Sequence, residues 1–152
     1  MTYFDKDLLR NRLNALPDEQ LPLWGALTPQ HMVEHLLLSV QFSNGNQSTQ
    51  LVIPEEKAAN AKTRLLDPEW QMPVGFKAAF MPSEGLPPLQ YTSKAAAVEG
   101  LLEQMDDFFD FYARNPQAAP IHPYFGALNQ SEWQVLHHKH FGHHLRQFGV
   151  AD

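Results

Sequence analysis

The chain contains no cysteine. Disulfides, thiolate metal ligands and a cysteine nucleophile are therefore excluded at the outset. It also lacks any long apolar run: the longest uninterrupted leucine stretch is "LLL" at 36–38, far too short to span a bilayer. The start, "MTYFDKDLLR", is charged and carries no apolar leader segment, so a cytoplasmic location and no membrane partner are expected. Basic residues are few. Eleven Lys and Arg are scattered against seventeen Asp and Glu, for a formal charge of −6. Phosphate backbones are bound by clustered cations, so nucleic acid is not an expected partner. No repeat or low-complexity tract appears, and 152 residues with 43% hydrophobic content fit one domain over 1–152 with a sizeable core.

What the sequence does have is histidine. Six of its eight histidines lie in the last 31 residues, and five fall between His137 and His144 in "LHHKHFGHHLRQFG". They are interleaved with Leu136, Phe141, Leu145 and Phe148 rather than run together. The other two, His31 and His35, are four residues apart.

Apolar spacing and capping residues predict five helices. The first covers 5–16, with Leu8, Leu9, Leu13 and Leu16 at helical intervals. The second covers 27–42, with Thr28 as N-cap and Pro29 at the first helical position. The third, 54–66, opens on Pro54 and two acids. A long helix over 92–115, capped by Thr92 or Ser93, carries the stripe Leu101, Leu102, Met105, Phe108, Phe109 and Tyr112. The last begins after Asn129, with Glu132 three residues on, and stops at Gly149. Five prolines and several aromatics, among them Trp70, Phe76 and Phe80, make 67–92 an ordered loop laid over the core. "TQLVIP" at 49–54 is the one strand candidate, and "HPYFG" at 122–126 reads as a turn in preference to a segment that brings His122 to the mouth of a site. The fold class is all-α, a helical bundle with a short extra helix and a Pro-rich loop.

At about 100° per residue, His140, His144 and His137 fall in the middle of the apolar arc of the last helix, with His143 and His138 on its flanks. His35 lies on the inward arc of the second helix and His31 nearer its edge. A buried imidazole needs partners for both nitrogens. One such ring is easily satisfied by a carbonyl. Two at i and i+4 facing a third are satisfied together by a divalent transition metal, which histidine suits well. A competing pattern is "HMVEH" at 31–35, the inverted zinc-peptidase spacing, with His31 and His35 as ligands and Glu34 as base. The plainer reading of Glu34 is a solvated residue on the polar face. Trp24 and Trp133 read as packing residues.

"LTPQHMVEHL" at 27–36 and "HKHFGHHLRQFG" at 138–149 resemble the two signatures of the DinB-like, damage-inducible four-helix-bundle superfamily of metalloenzymes. "HPYFGALNQSEW" at 122–133 resembles an uncharacterised subfamily of it. The resemblance implies an up-down-down-up bundle with one long crossover. It implies a metal, zinc or nickel first, held by His35, His140 and His144. The sequence departs from the family in carrying His31, His137 and His143 near the site, as candidates for a fourth or a swapped ligand, His31 and His143 foremost, with Gln147 orienting His143. It also implies a small-molecule substrate and, as in some members, thiol-dependent transfer with a low-molecular-weight thiol as partner. Metal-dependent hydrolysis and a non-catalytic binding bundle are the alternatives. A homodimer is the expected assembly.

Overall fold

A computed structural model describes residues 4–76, 81–82 and 84–150. Five helices and one very small sheet make up its regular structure among these residues. Helix α1 spans Lys6–Ala15, α2 Pro29–Ser43, α3 Glu55–Leu65, α4 Lys94–Arg114 and α5 Gln130–Gln147. None of them is long and apolar enough to cross a membrane.

The boundaries follow from cap chemistry. Asp5 accepts the Leu8 N–H at the start of α1, Thr28 the His31 N–H at α2, and Ser93 the Ala96 N–H at α4. Helix α5 begins with a reciprocal pair: Asn129 accepts the Glu132 N–H and the Glu132 carboxylate accepts the Asn129 N–H. Of the two candidates for capping α4, Ser93 is the one whose side chain makes the bond. Gly149 takes a φ of 72° just past α5, a conformation open to glycine at little cost.

The expected strand at 49–54 does not form. Val52 makes a single backbone bond to the Pro123 carbonyl and is exposed, with no second strand alongside to pair it. The strands form instead inside the segment read as a turn. Ile121–His122 (β1) pairs antiparallel with Gly126–Ala127 (β2), closed by Gly126 at φ 74°.

Helix α2 packs against both α4 and α5, and α1 packs against α4. The core runs between them: Leu9 and Leu13 from α1, Met32, Leu36 and Val40 from α2, Leu101, Met105 and Phe108 from α4, Phe141 and Leu145 from α5. Phe109, expected in the α4 stripe, is instead exposed at 41% and meets Phe4 and Phe108 edge-on.

The proline-rich loop is fastened at several points. Trp70 meets Phe125 edge-on at 6.3 Å and carries the Lys139 ammonium over its ring, 5.5 Å from the centroid, and Phe76 meets Tyr124 at 5.4 Å. Phe80 lies outside the described residues. At its far end the loop is tied to α2. The Glu34 carboxylate accepts the Gln90 N–H at 2.6 Å, the Tyr91 N–H at 3.3 Å and the Gln30 amide at 3.0 Å. Glu34 is thus a fastening for the loop, not a solvated residue on a polar face.

Candidate metal centre

Helix α2 brings His35 and helix α5 brings His140 and His144 to one point. The Nε2 atoms of His35 and His140 lie 2.9 Å apart, and those of His144 and His140 3.1 Å. All three donor atoms fall within 4.8 Å of one another, and all three residues are buried. The i, i+4 spacing on α5 stacks two imidazoles on one face, and the packing of α2 on α5 supplies the third.

Hydrogen positions follow from the partners. Gln147 donates its amide N–H to the Trp24 carbonyl at 3.0 Å, so its oxygen faces His144 Nδ1 at 2.7 Å. His144 therefore carries its proton on Nδ1 and turns the Nε2 lone pair toward the other two rings. His140 Nε2 faces two neighbours, and one hydrogen there is directed well at only one of them. Three neutral imidazoles pointing Nε2 to Nε2 cannot all be paired. A divalent cation accepts all three lone pairs at once. Tetrahedral metal–nitrogen bonds of about 2.0–2.1 Å set nitrogens roughly 3.3–3.4 Å apart, so His140 need only draw slightly away from each of its two neighbours. The donor set fits a metal.

Burial keeps these rings neutral. His35 is held well below the ordinary value first by burial, then by the nearby His144 and His143. His140 is pushed down the same way, first by burial and then by His144, His35, His137 and His122. His144 is lowered to about 4 by burial, partly offset by the bond to Gln147. At neutral pH no proton competes for the lone pairs.

The other candidates lie elsewhere. His31 is not at the cluster. Thr28 donates its hydroxyl to His31 Nδ1 at 2.6 Å, and His31 Nε2–H donates to the Pro87 carbonyl at 3.1 Å. The H-x-x-E-H spacing thus serves the loop: His31 and Glu34 both grip it while His35 alone turns inward. The reason is position along the helix: His31 sits in the first turn of α2, a turn before His35, where its cap partner Thr28 captures it. His143 is buried beside the cluster but outside it, its ring 5.1 Å from His144 and 5.4 Å from Trp24. Gln147 orients His144, three residues before it, and not His143. His138 is exposed, as its flank position implied.

Beside the cluster opens a cavity of about 280 Å³ lined by the three histidines, His143, Trp24, Met72, Phe76 and the HPYFG turn, among others. Trp24 is therefore part of the cavity wall and not only a packing residue. Trp133 is fully buried, its indole N–H donating to the Pro120 carbonyl. Two more residues line the cavity: Ser39, which spacing did not single out, and His122, for which the turn was preferred to a place at the site mouth. Ser39 stands one turn after His35 on α2, and i+4 from an inward histidine was a usable signal. His122 anchors its turn through Nδ1, which accepts the Tyr124 and Phe125 N–H groups at 3.0 and 3.3 Å.

A family model described as "Protein of unknown function (DUF1569)" matches residues 1–150. No curated protein and no solved structure matches the chain.

Proposed function

The chain belongs to the DUF1569 family, and we propose that it is a metal-dependent enzyme acting on a small molecule, with His35, His140 and His144 as the ligands of zinc or nickel. The observation that carries this reading is the convergence of three buried Nε2 atoms from two helices at the wall of a cavity. The reading includes membership of the DinB-like superfamily, with four of the helices as an up-down-down-up bundle and the segment between α2 and α4 as its long crossover.

Three protein ligands leave a metal with an open position, which is the arrangement of catalytic rather than structural sites. When bound, such an ion acts as a Lewis acid that lowers the pKa of a thiol or a water. The chain's own residues do the rest. Gln147 fixes the tautomer and orientation of His144 through Nδ1. The loop fastened by His31 and Glu34 covers the cavity and limits the entry of water. The chain has no cysteine, so a thiol reaction takes its sulfur from a cosubstrate. Thiol-dependent transfer stands first and hydrolysis second.

Metal analysis of untagged protein purified without chelators tests the binding: about one zinc or nickel per chain is expected, and its loss on His35→Ala. Cobalt substitution then separates the reactions. A low-molecular-weight thiol that enters the ligand field changes the visible spectrum. An unchanged spectrum removes the transfer reading and leaves hydrolysis.

A further inference from the structure

The cavity beside the three histidines contains two buried hydrogen-bond donors that the protein itself does not use. Ser39 is 4% exposed and His122 8% exposed, and both line the cavity. The His122 ring has its Nδ1 lone pair committed to the Tyr124 and Phe125 N–H groups, which places the ring proton on Nε2. Among the described residues neither that N–H nor the Ser39 hydroxyl has a hydrogen-bond partner, and neither is sealed in packed interior as His137 Nδ1 is. Both atoms open onto the cavity, where water or a bound molecule can supply the partner.

The rest of the cavity narrows what that something is. Its described lining includes no Lys, Arg, Asp or Glu. Its walls are apolar and aromatic, from Trp24, Leu27, Met72, Phe76, Leu86 and Phe125. Away from the three histidines, where a bound dication would supply charge, an ionised substrate group would be stripped of water with no countercharge. An aromatic or aliphatic body is well received, and about 280 Å³ is nearly twice the roughly 150 Å³ that encloses benzene.

Resting on the metal-site reading, we infer that the cavity takes an uncharged molecule with an apolar body and one acceptor oxygen, such as a carbonyl, and that the Ser39 hydroxyl and His122 Nε2–H hold that oxygen. Ser39 lies one turn from His35 on the same face of α2, so an oxygen held there sits beside the metal-ligating edge. The two donors are neutral and fixed by a helix and by a hydrogen-bonded turn. They orient a carbonyl without demanding charge.

The test is a fluorine NMR titration with three probes of similar size: para-fluoroacetophenone, para-fluoroethylbenzene and para-fluorobenzoate. Each is titrated into chelator-treated protein, and the first two also into protein loaded with one equivalent of zinc. The ketone is expected to bind about threefold to tenfold more tightly than the hydrocarbon in both forms, the worth of one or two neutral hydrogen bonds. The carboxylate should bind weakest to the chelator-treated protein. Ser39→Ala should erode the ketone's advantage and leave the hydrocarbon's affinity unchanged. His122→Asn should do the same, because its side-chain oxygen replaces the Nδ1 acceptor and keeps the turn while the Nε2 donor is lost. Equal binding of ketone and hydrocarbon overturns the inference. So does tightest binding of the carboxylate to chelator-treated protein, equal loss of both neutral probes in the variants, or no binding of any probe. If the wild-type protein takes up no zinc and still prefers the ketone, the metal reading alone falls and the donor pair is upheld.

Discussion

His137 and His140 are three residues apart on α5, both buried, and they do different things. His137 stacks between Trp133 and Phe141, with ring centroids at 5.4 and 5.9 Å, and touches Phe108 edge-on at 5.7 Å. Ser43 spends its hydroxyl proton on the Val40 carbonyl, so it accepts from His137 Nε2–H at 2.7 Å. Tyr112 closes the cluster by donating to the Ser43 carbonyl. This is a core imidazole among aromatic rings, and its Nδ1 has no hydrogen-bond partner among the described residues. His140 instead meets two other imidazoles edge-on, Nε2 to Nε2, at the wall of a cavity. Burial is common to both regions and does not mark a ligand. Convergence of lone pairs from separate helices does.

The comparison breaks most sharply at substitution of the two residues. His140→Ala should weaken zinc affinity by more than about 100-fold, beyond what loss of an outer orienting group costs, in competition with a chromophoric chelator. His137→Ala should leave the affinity of folded protein unchanged and instead lower stability by about 3 kcal/mol, the scale of a large buried ring replaced by a methyl, in urea denaturation. A His137→Ala variant that folds normally but loses zinc would erase the distinction. A gentler probe is His137→Phe, which keeps the stacking and removes the unpaired nitrogen. It should cost no more than about 1 kcal/mol.

Next in size is the residue that orients His144. Gln147→Ala removes both the Nδ1 partner of His144 and the link to the Trp24 carbonyl. Zinc affinity should fall about 10- to 100-fold, measured in the same competition. An unchanged affinity would mean that His144 is held by packing alone.

Acid separates the regions differently. Burial lowers His122 and His137 to about 3 from an ordinary 6.5. Between those values the unfolded chain takes up protons that the folded chain refuses. Their contribution to stability is therefore complete above about pH 6.5 and drains away as pH falls toward 3, by at most about 1.4 kcal/mol per pH unit for each ring. Urea midpoints measured from pH 7 to 5 should decline, and His137→Phe should flatten the decline by up to one proton. An identical slope in the variant would show that His137 is not the group responsible.

The smallest effect expected is at Glu34. Glu34→Ala should leave zinc affinity within about twofold, since the carboxylate bonds the loop and not the cluster. Amide hydrogen exchange at Gln90 and Tyr91 should quicken, because those N–H groups lose their acceptor. Zinc binding lost as fully on His31→Ala as on His35→Ala would restore the H-x-x-E-H reading.

Much of this was determined by sequence alone. The caps at Thr28, Ser93 and Asn129 and the apolar spacing place the helices to within a residue or two, because helix starts and faces are set by local hydrogen bonding and a fixed 3.6-residue turn. Helical phase likewise turned His35, His140 and His144 inward. What only the tertiary structure decided depends on contacts between distant segments. Phase placed His137 on the same arc as His140, yet the aromatic rings of α4 and α5 and the Ser43 hydroxyl claim the first, and His35 of α2 meets the second. His31 was removed from the candidates by a carbonyl 56 residues away, at Pro87, and Gln147 was assigned to His144 by the carbonyl of Trp24. The expected strand at 49–54 failed for want of a partner that no local pattern can supply. A ring nitrogen's partner is chosen by whatever packs against it, and that choice is made across the fold, not along the chain.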